Sequence, residues 1–370
     1  MLKVLDINPN CSCLGTKKFN HNSLIRLMGV IGKMGQYMDK NIQVSVLCTV
    51  YNQENYLVKC LDGFINQNTN FNYEIIINDD CSTDSSKSLI QKYAEKYPDI
   101  IKPIYQEENQ FSKGVNIIRE IMLPKARGKY IAMCEGDDYW CDNNKLQLQY
   151  EYMENHDECS LCCHNTIRHD VSGRTRDIKF NKWKNLHKLN EKETFTDWLV
   201  HTSSFFIRKE VLASRPDFAY KYWFGDYTIV TWSYVNGTIA VLPQIMSVYD
   251  WNNPNGITYL NAHSNKNTEL DRINYLKEFD VYTKNNYYDI IHTVIDSISF
   301  EDFFNTTLIS MIGLDNKKQK EMVKILLNDK RVNSYCKTHG IKKKLKLHLL
   351  STFLGKKYIL LRTYNRINSK

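Results

Sequence analysis

Three acidic side chains, Glu135, Asp137 and Asp138, stand within four positions of the sequence. They follow the apolar run "KYIAMC" and precede the aromatic pair Tyr139 and Trp140. Carboxylates this close repel one another unless a cation or hydrogen-bond donors compensate them. Carboxylate oxygens suit a hard divalent ion, Mg²⁺ or Mn²⁺, which keeps positions open for phosphate oxygens. The alternative interpretation is a solvated turn or helix cap, the usual role of such clusters.

Polar residues also follow two other predicted strands. Thr49 and Tyr51 come at the end of "VSVLCTV", and Asp79 and Asp80 end the apolar run of "YEIIINDD". Strands alternate with helical patterns here, which indicates an α/β domain with a mostly parallel sheet flanked by helices. Ligands collect beyond the carboxyl ends of parallel strands. We therefore expect the three polar loops to meet at one edge of the sheet.

The remaining organisation is coarser. Residues 1–41 form an N-terminal extension, residues 42–264 carry the α/β pattern, and residues 265–370 are predicted to be mainly helical. From Lys330 onward there are twelve Lys and Arg and no Asp or Glu, although the whole chain has a formal net charge of +8. This amphipathic tail either binds an anionic membrane surface or packs on the body with a solvated basic face.

Other features restrict the class of protein. The N-terminus lacks the pattern of a secretory signal, and no run approaches the roughly 20 apolar residues of a membrane span. Eleven cysteines without a paired framework favour reduced thiols in a cytoplasmic protein. The cluster Cys159, Cys162, Cys163 and His164 either provides ligands for a zinc ion or consists of side chains buried in the core. No second pair of cysteine or histidine ligands stands at the spacing of a zinc finger, which favours buried thiols. No nucleic-acid recognition motif accompanies the basic tail.

Several stretches together resemble bacterial family 2 glycosyltransferases with the GT-A fold, as found among capsule, O-antigen and lipooligosaccharide sugar transferases. They are "VSVLCTVYNQENYLVKCLDGFINQ", "YEIIINDDCSTDSS", "KYIAMCEGDDYW", "HTSSFFIRK", "GDYTIVTW" and "MSVYDWNNPNGIT", in this order between about residues 42 and 260. The resemblance implies an inverting, metal-dependent enzyme that moves a sugar from a nucleotide donor to a hydroxyl of a glycan or lipid-linked glycan.

The resemblance also implies which residues bind the donor. The nucleotide base would lie near Thr49 and Tyr51, and Asp80 would accept a hydrogen bond from the imide N–H of the base. A carboxylate can accept from uracil or thymine but meets an acceptor in cytosine, so a UDP-sugar is favoured. The full set of nucleotide-binding residues that the resemblance implies is Thr49, Tyr51, Glu54, Asp79, Asp80, Asn109, Gly114 and Asp137.

For the chemical step, the resemblance implies that Asp138 binds Mn²⁺ or Mg²⁺, with Asp137 towards the ribose and Glu135 completing the metal motif. Asp226, at a predicted helix start, would be the base that takes the proton of the acceptor hydroxyl. The other role open to Asp226 is that of a helix cap. We expect the helix N-terminus to lower the pKa of its carboxylate.

The acceptor side is less defined. His201 opens "HTSSFF" and lines the acceptor side by resemblance, or it is a satisfied structural histidine. Trp140 either packs on a sugar ring or fills the core beneath the acidic loop. Two other functions stay open: a sugar-phosphate nucleotidyltransferase, disfavoured because "TVYNQENYL" lacks a glycine-rich basic loop, and a noncatalytic protein that retains the fold.

Overall fold

The computed structural model describes residues 42–298 of the 370-residue chain, apart from residues 182, 197, 252, 254–255 and 257–267. The predicted N-terminal extension and the basic tail lie outside the described residues. No helix within the described part has the length and apolar character that a bilayer span requires.

Ten strands and seven α-helices are described. The strands are β1 (Ile42–Val50), β2 (Asn72–Asp79), β3 (Ile101–Tyr105), β4 (Tyr130–Met133), β5 (Tyr139–Trp140), β6 (Cys159–Asp170), β7 (Ile178–Lys179), β8 (His187–Lys188), β9 (Phe206–Arg208) and β10 (Thr238–Trp251). The helices are α1 (Leu57–Ile65), α2 (Ser86–Lys96), α3 (Lys145–Glu154), α4 (Glu191–Thr196), α5 (Lys209–Ala213), α6 (Gly225–Asn236) and α7 (Thr268–Tyr282), and residues 288–298 are also helical.

All the strands belong to one sheet, with the order β3-β2-β1-β4-β9-β6-β10-β5, while β7 pairs with β6 and β8 with β10. The pairs β1–β4, β2–β3 and β6–β10 are parallel, whereas β9 runs antiparallel to both β4 and β6. Most paired residues lie in the parallel pairs. Pro103 sits in the edge strand β3, where the missing N–H costs no ladder bond. The predicted α/β fold is confirmed.

The alternation of side chains along each strand builds a core on both faces of the sheet. Val46 of β1 and Ala132 of β4 belong to one cluster, which α1, α2 and α3 cover. Their neighbours Leu47 and Ile131 belong to the other cluster, which α6, α7 and the 288–298 helix cover. The expected helical region after residue 265 is thus confirmed as far as residue 298.

Helix α1 lies directly against the backbone that follows the acidic loop. A Cβ added at Gly63 would stand 2.7 Å from the carbonyl oxygen of Trp140, closer than real Cβ atoms approach. The side chain of Gln67, one turn on, donates to the carbonyl oxygen of Asp142 at 2.9 Å. The helix therefore supports the segment that carries the acidic residues.

We expect Gly63→Ala to destabilise the protein by about 1–3 kcal/mol, because the added methyl must displace backbone atoms rather than a flexible side chain. Urea unfolding of the full chain measures this. Gly225→Ala is the matched control, since a Cβ at this helix-start glycine meets nothing within 4 Å. Equal stability of the two variants would contradict the close contact between α1 and Trp140.

Candidate active site

The loops that follow β1, β2 and β4 are joined by backbone hydrogen bonds. The N–H of Asp80 donates to the carbonyl oxygen of Val50 at 2.9 Å, and the N–H of Gly136 donates to that of Thr49 at 3.0 Å. The first bond ties the second loop to the first, and the second bond ties the acidic loop to β1. The structure therefore brings the three predicted polar loops together at one edge of the sheet.

Asp80 organises the loop that carries the predicted donor-binding residues. Its two carboxylate oxygens accept from the N–H groups of Gln110 and Phe111 at 2.7 and 3.0 Å. The side chain of Asn109 donates to the carbonyl oxygen of Asp80 at 3.2 Å. Gly114, with φ of +80°, holds the left-handed conformation expected of this glycine. Asp80, Asn109 and Gly114 thus belong to one local structure.

The other predicted donor-binding residues differ in how open they are. Tyr51 is 43% exposed and lies beside the loop after β2. Asp79 is fully buried, and burial raises the pKa of its carboxyl although the Ser82 N–H opposes this. Glu54 accepts from the N–H of Ser85 at 2.9 Å, so its carboxylate supports the start of α2. Tyr51 and Glu54 are both exposed, and of the three residues only Tyr51 offers an aromatic ring on which a nucleotide base could stack.

The acidic loop holds two buried carboxylates. One oxygen of Asp138 accepts from the N–H of Asp250 at 3.1 Å, while the other is buried and has no hydrogen-bond partner among the described residues. Asp137 accepts from the side-chain N–H of Asn253 at 2.9 Å. Burial raises the pKa of both groups, and for Asp138 the charges of Asp137 and Glu135 raise it further. Without a positive charge nearby, burial and mutual repulsion destabilise the ionised forms of these carboxylates.

Asp250 and Asn253 were not singled out from the sequence, although they lie in the "MSVYDWNNPNGIT" stretch. Asp250 is buried at the end of β10, one of its oxygens has no hydrogen-bond partner, and burial raises its pKa to about 6. Its backbone and the Asn253 side chain contact the two aspartates of the acidic loop. An acidic residue that ends a long apolar strand was the available signal.

His201 touches the same loop from the far side. Its Nδ1 lies 3.6 Å from the unpaired oxygen of Asp138, and its ring stacks on Tyr249 with centroids 4.1 Å apart. Burial lowers the pKa of His201 to about 3, so the imidazole is neutral and this approach is not an ion pair. Nδ1 also lies 2.9 Å from the hydroxyl of Ser203 and accepts from its N–H at 3.3 Å. His201 therefore both caps the turn at Thr202–Ser204 and borders the acidic loop.

Trp140 belongs to the core. It is only 3% exposed, its indole N–H donates to the carbonyl oxygen of Ser203 at 3.0 Å, and its ring meets Phe64 edge-on at 4.6 Å. The amine of Lys145 lies 4.0 Å from the ring centroid. Of the two roles considered for Trp140, the structure favours the core, and the assignment to the acceptor side is wrong because the ring is enclosed.

Asp226 is the second residue of α6 and accepts from the N–H of Tyr227 at 2.8 Å. Burial raises the pKa of its carboxyl, although hydrogen bonds from Tyr227 and the Trp198 side chain oppose this. The expected lowering of the pKa is therefore wrong in sign, because desolvation outweighs the helix N-terminus. Asp226 is close enough to Glu135 that its charge raises the pKa of Glu135, after burial and Asp137. The candidate base is thus within electrostatic range of the acidic loop.

Glu135 differs from its neighbours because its side chain is exposed to solvent in the same cleft. Burial, followed by the charges of Asp137 and Asp226, nevertheless raises the pKa of Glu135 to about 8, so its carboxyl resists ionisation as those of Asp137 and Asp138 do.

The acidic loop fits a divalent cation, and the unpaired oxygen of Asp138 carries this conclusion. Among the described residues, however, no three His, Cys, Asp or Glu side chains are placed to ligate one ion together. The protein would then supply one or two oxygens, with phosphate and water supplying the others, as is usual for Mg²⁺. Asp138 would hold the ion, and Glu135 and Asp137 precede it in the same loop.

The cysteine cluster is separate from this site. Cys159, Cys162, Cys163 and His164 are buried in β6, and the three cysteines are free thiols. Burial raises the pKa of Cys162 and Cys163, which disfavours the thiolate that zinc needs. Their observed environment is that of core side chains.

Comparison with known proteins agrees with this geometry. Residues 45–215 match the family model described as Glycosyl transferase family 2. Uncharacterized protein Rv1520 of Mycobacterium tuberculosis is 35% identical over 206 residues, which cover 56% of this chain and 58% of the relative. TuaG of Bacillus subtilis, a glycosyltransferase named for teichuronic acid biosynthesis, is 36% identical over 110 residues, 30% of this chain and 41% of TuaG.

Among solved structures, TarS 1-349 of S. aureus in complex with UDP-GlcNAc is similar with a TM-score of 0.52 at 18% identity. The match covers 80% of this chain and 84% of that chain. At this identity the likeness concerns the fold.

Residues 45–215 are thus similar to glycosyl transferase family 2 proteins, which agrees with the expected resemblance, and the GT-A type of fold is confirmed. The matched segment spans about 58% of the length of the mycobacterial relative.

Proposed function

We propose that the protein transfers a sugar from a UDP-sugar, with inversion, to a hydroxyl of a glycan or lipid-linked glycan in cell-surface polysaccharide synthesis. One observation carries this proposal. The buried oxygen of Asp138 that has no hydrogen-bond partner among the described residues lies in the acidic loop, a hydrogen bond joins this loop to Thr49, and the charge of Asp226 acts on Glu135 of the same loop. The name of TuaG supports a wall polymer as the product.

Donor binding follows from the three loops. Tyr51 offers an accessible ring to the nucleotide base, and the oxygens of Asp80, already fixed by two N–H groups, have remaining lone pairs for the base imide N–H. Asp137, next to Asp138 in the acidic loop, would approach the ribose. A bound Mn²⁺ or Mg²⁺ on Asp138 would neutralise charge on the departing diphosphate.

The transfer itself needs one base. As the acceptor oxygen forms its bond to the anomeric carbon, the bond from that carbon to the diphosphate oxygen breaks, and the proton of the acceptor hydroxyl passes to Asp226. The raised pKa of Asp226 makes it a stronger base than an exposed aspartate.

The two competing functions receive less support. A nucleotidyltransferase would use basic groups at the triphosphate, yet Lys113 and Arg119, the cations near the donor loop, pair with Glu108 and Asp217. A noncatalytic protein would have no need for a desolvated carboxylate at Asp226. Free UDP released from a UDP-sugar in the presence of an acceptor would separate transfer from both alternatives.

Donor binding is tested by the thermal stability of the protein. We expect UDP with Mn²⁺ to stabilise it by about 2.7 kcal/mol at about 100 times the dissociation constant, because a ligand of the folded state shifts the unfolding equilibrium. UDP alone should give a much smaller shift, and CDP with Mn²⁺ a smaller one than UDP with Mn²⁺. Equal shifts with and without the metal would contradict the metal role, and equal shifts for CDP and UDP the role of Asp80.

A further inference from the structure

The segment from Arg168 to Lys184, here called the basic hairpin, carries an excess of positive charge that has no role in the proposed donor binding. It contains six Lys and Arg and two Asp. Strand β7 within it pairs antiparallel with β6, Ile167 opposite Lys179 and Arg168 opposite Ile178. A charge excess of this kind on one short hairpin needs either solvent or an anionic partner.

The two acidic residues of the basic hairpin are already occupied. Asp170 accepts from the N–H groups of Ser172 and Thr175 at 3.0 and 2.9 Å, and so forms the turn. Asp177 lies 2.8 Å from Nδ1 of His169. Asp177 forms no ion pair with a described lysine or arginine of the hairpin, and the six cationic residues of the hairpin outnumber its two aspartates.

Four of its cationic side chains are open to solvent: Arg174, Arg176, Lys179 and Lys184. None of these four forms an ion pair with another described residue, and all four lie on one short hairpin. Guanidinium groups offer paired donors that match carboxylate and phosphate oxygens. The exposed cationic side chains of the hairpin can therefore bind an anionic partner.

The basic hairpin is attached to the candidate active site. The Phe180 ring lies against the His201 ring with centroids 5.6 Å apart, and His201 is 3.6 Å from Asp138. The side chain of Asn181 accepts from the N–H of Thr166 at 2.9 Å, which fixes the end of the hairpin to β6. A long anionic molecule that lies on the hairpin would therefore pass close to the acidic loop.

We infer that the basic hairpin binds the acceptor, and that the acceptor is a polyanionic glycan with repeating carboxylate or phosphate groups. This inference rests on the proposed function, because it concerns the acceptor of the same site. The cations bind the charged groups of the polymer on the hairpin and not at the acidic loop. One hydroxyl of the bound polymer can then reach Asp226. A neutral glycan would gain nothing from the hairpin.

The test is the triple variant Arg174→Gln/Arg176→Gln/Lys179→Gln of the full chain. Its affinity for fluorescent fragments of polygalacturonate and of poly(glycerol phosphate) is measured by polarisation at low and high salt. We expect about a tenfold loss for at least one of the two polymers, as for three weak exposed charge pairs, and a smaller dependence on salt than in the unmodified protein. The polymer that responds identifies the anionic group.

The matched control is Lys92→Gln/Lys96→Gln/Lys125→Gln, which removes three exposed positive charges outside the hairpin. An equal loss in this control, or no loss in the hairpin variant, would overturn the inference. So would lost binding to phosphatidylglycerol vesicles with unchanged binding to both polymers, because the hairpin would then be a membrane contact. The UDP and Mn²⁺ shift, measured on both variants, reports the donor site separately, so failure of the proposed function is recognised independently.

Discussion

Asp226→Asn should lower the rate of sugar transfer by about a hundredfold to ten-thousandfold and leave donor binding intact. The amide has nearly the shape of the carboxylate and can still accept from the Tyr227 N–H, but it cannot take up a proton. The loss should appear in kcat, since the missing interaction belongs to the transition state. Release of UDP in the presence of acceptor measures the rate, and calorimetry with UDP and Mn²⁺ measures donor binding.

Glu193→Gln is the matched control for this variant, because Glu193 borders the same small cavity as Asp226 and is only half-buried. Its carboxylate accepts from the Asn190 N–H at the start of α4, so its role is local. The control should keep a rate within about twofold of the unmodified protein. A D226N protein with near-normal turnover would remove Asp226 from the mechanism, and loss of UDP binding would assign it to the donor.

Much of this site is predictable because the polar residues follow strands. Apolar runs locate β1, β2 and β4, and a parallel sheet brings the ends of these strands to one edge. Thr49, Asp80 and Asp138 are therefore found by position rather than by composition. The role of Asp226 as a base comes instead from the resemblance of "GDYTIVTW" to family 2 glycosyltransferases, because an aspartate at a helix start by itself predicts only a cap.

The contribution of β10 is much harder to predict. Asp250 stands 112 residues after Asp138, and only the tertiary fold places its N–H on that carboxylate. The register of β10 against β6 also shifts between Leu242 and Ile245 and again before Ser247. A bulge changes which side chains face the site, and its position is not readable from the alternation of apolar residues.

The orientation of Trp140 is also decided by tertiary packing and cannot be predicted from the local sequence. Strand β5 is only two residues long, and its pairing with β10, Trp140 opposite Ser247, turns the indole into the core. The sequence "DDYW" fits an outward ring equally well. The sign of the pKa shift at Asp226 was missed for a related reason, since burial depends on the residues packed around the helix start and not on the helix itself.

The buried carboxylates of the acidic loop lower the stability of the ligand-free protein, which indicates that they are retained for function. Asp137 and Asp138 are buried close together, Asp250 is buried beside them, and one oxygen each of Asp138 and Asp250 has no hydrogen-bond partner. A core selected for stability alone would not retain such groups, because an unpaired buried charge is costly. Their presence is explained if a cation with its diphosphate offsets the repulsion during the reaction.

Asp138→Asn should therefore have opposite effects on activity and stability. Transfer should fall by at least about a hundredfold, because the residue proposed to hold the metal loses its charge. The ligand-free protein should become more stable by about 1 kcal/mol, because a neutral amide keeps the bond from the Asp250 N–H and no longer repels Asp137 and Glu135. Urea unfolding without metal measures the stability, and the stabilisation by UDP with Mn²⁺ should disappear.

Asp157→Asn serves as the control, since a side chain 98% exposed should leave both properties unchanged. Loss of stability in D138N with full retention of the metal-dependent shift would mean that Asp138 is a structural residue and that the cation binds elsewhere.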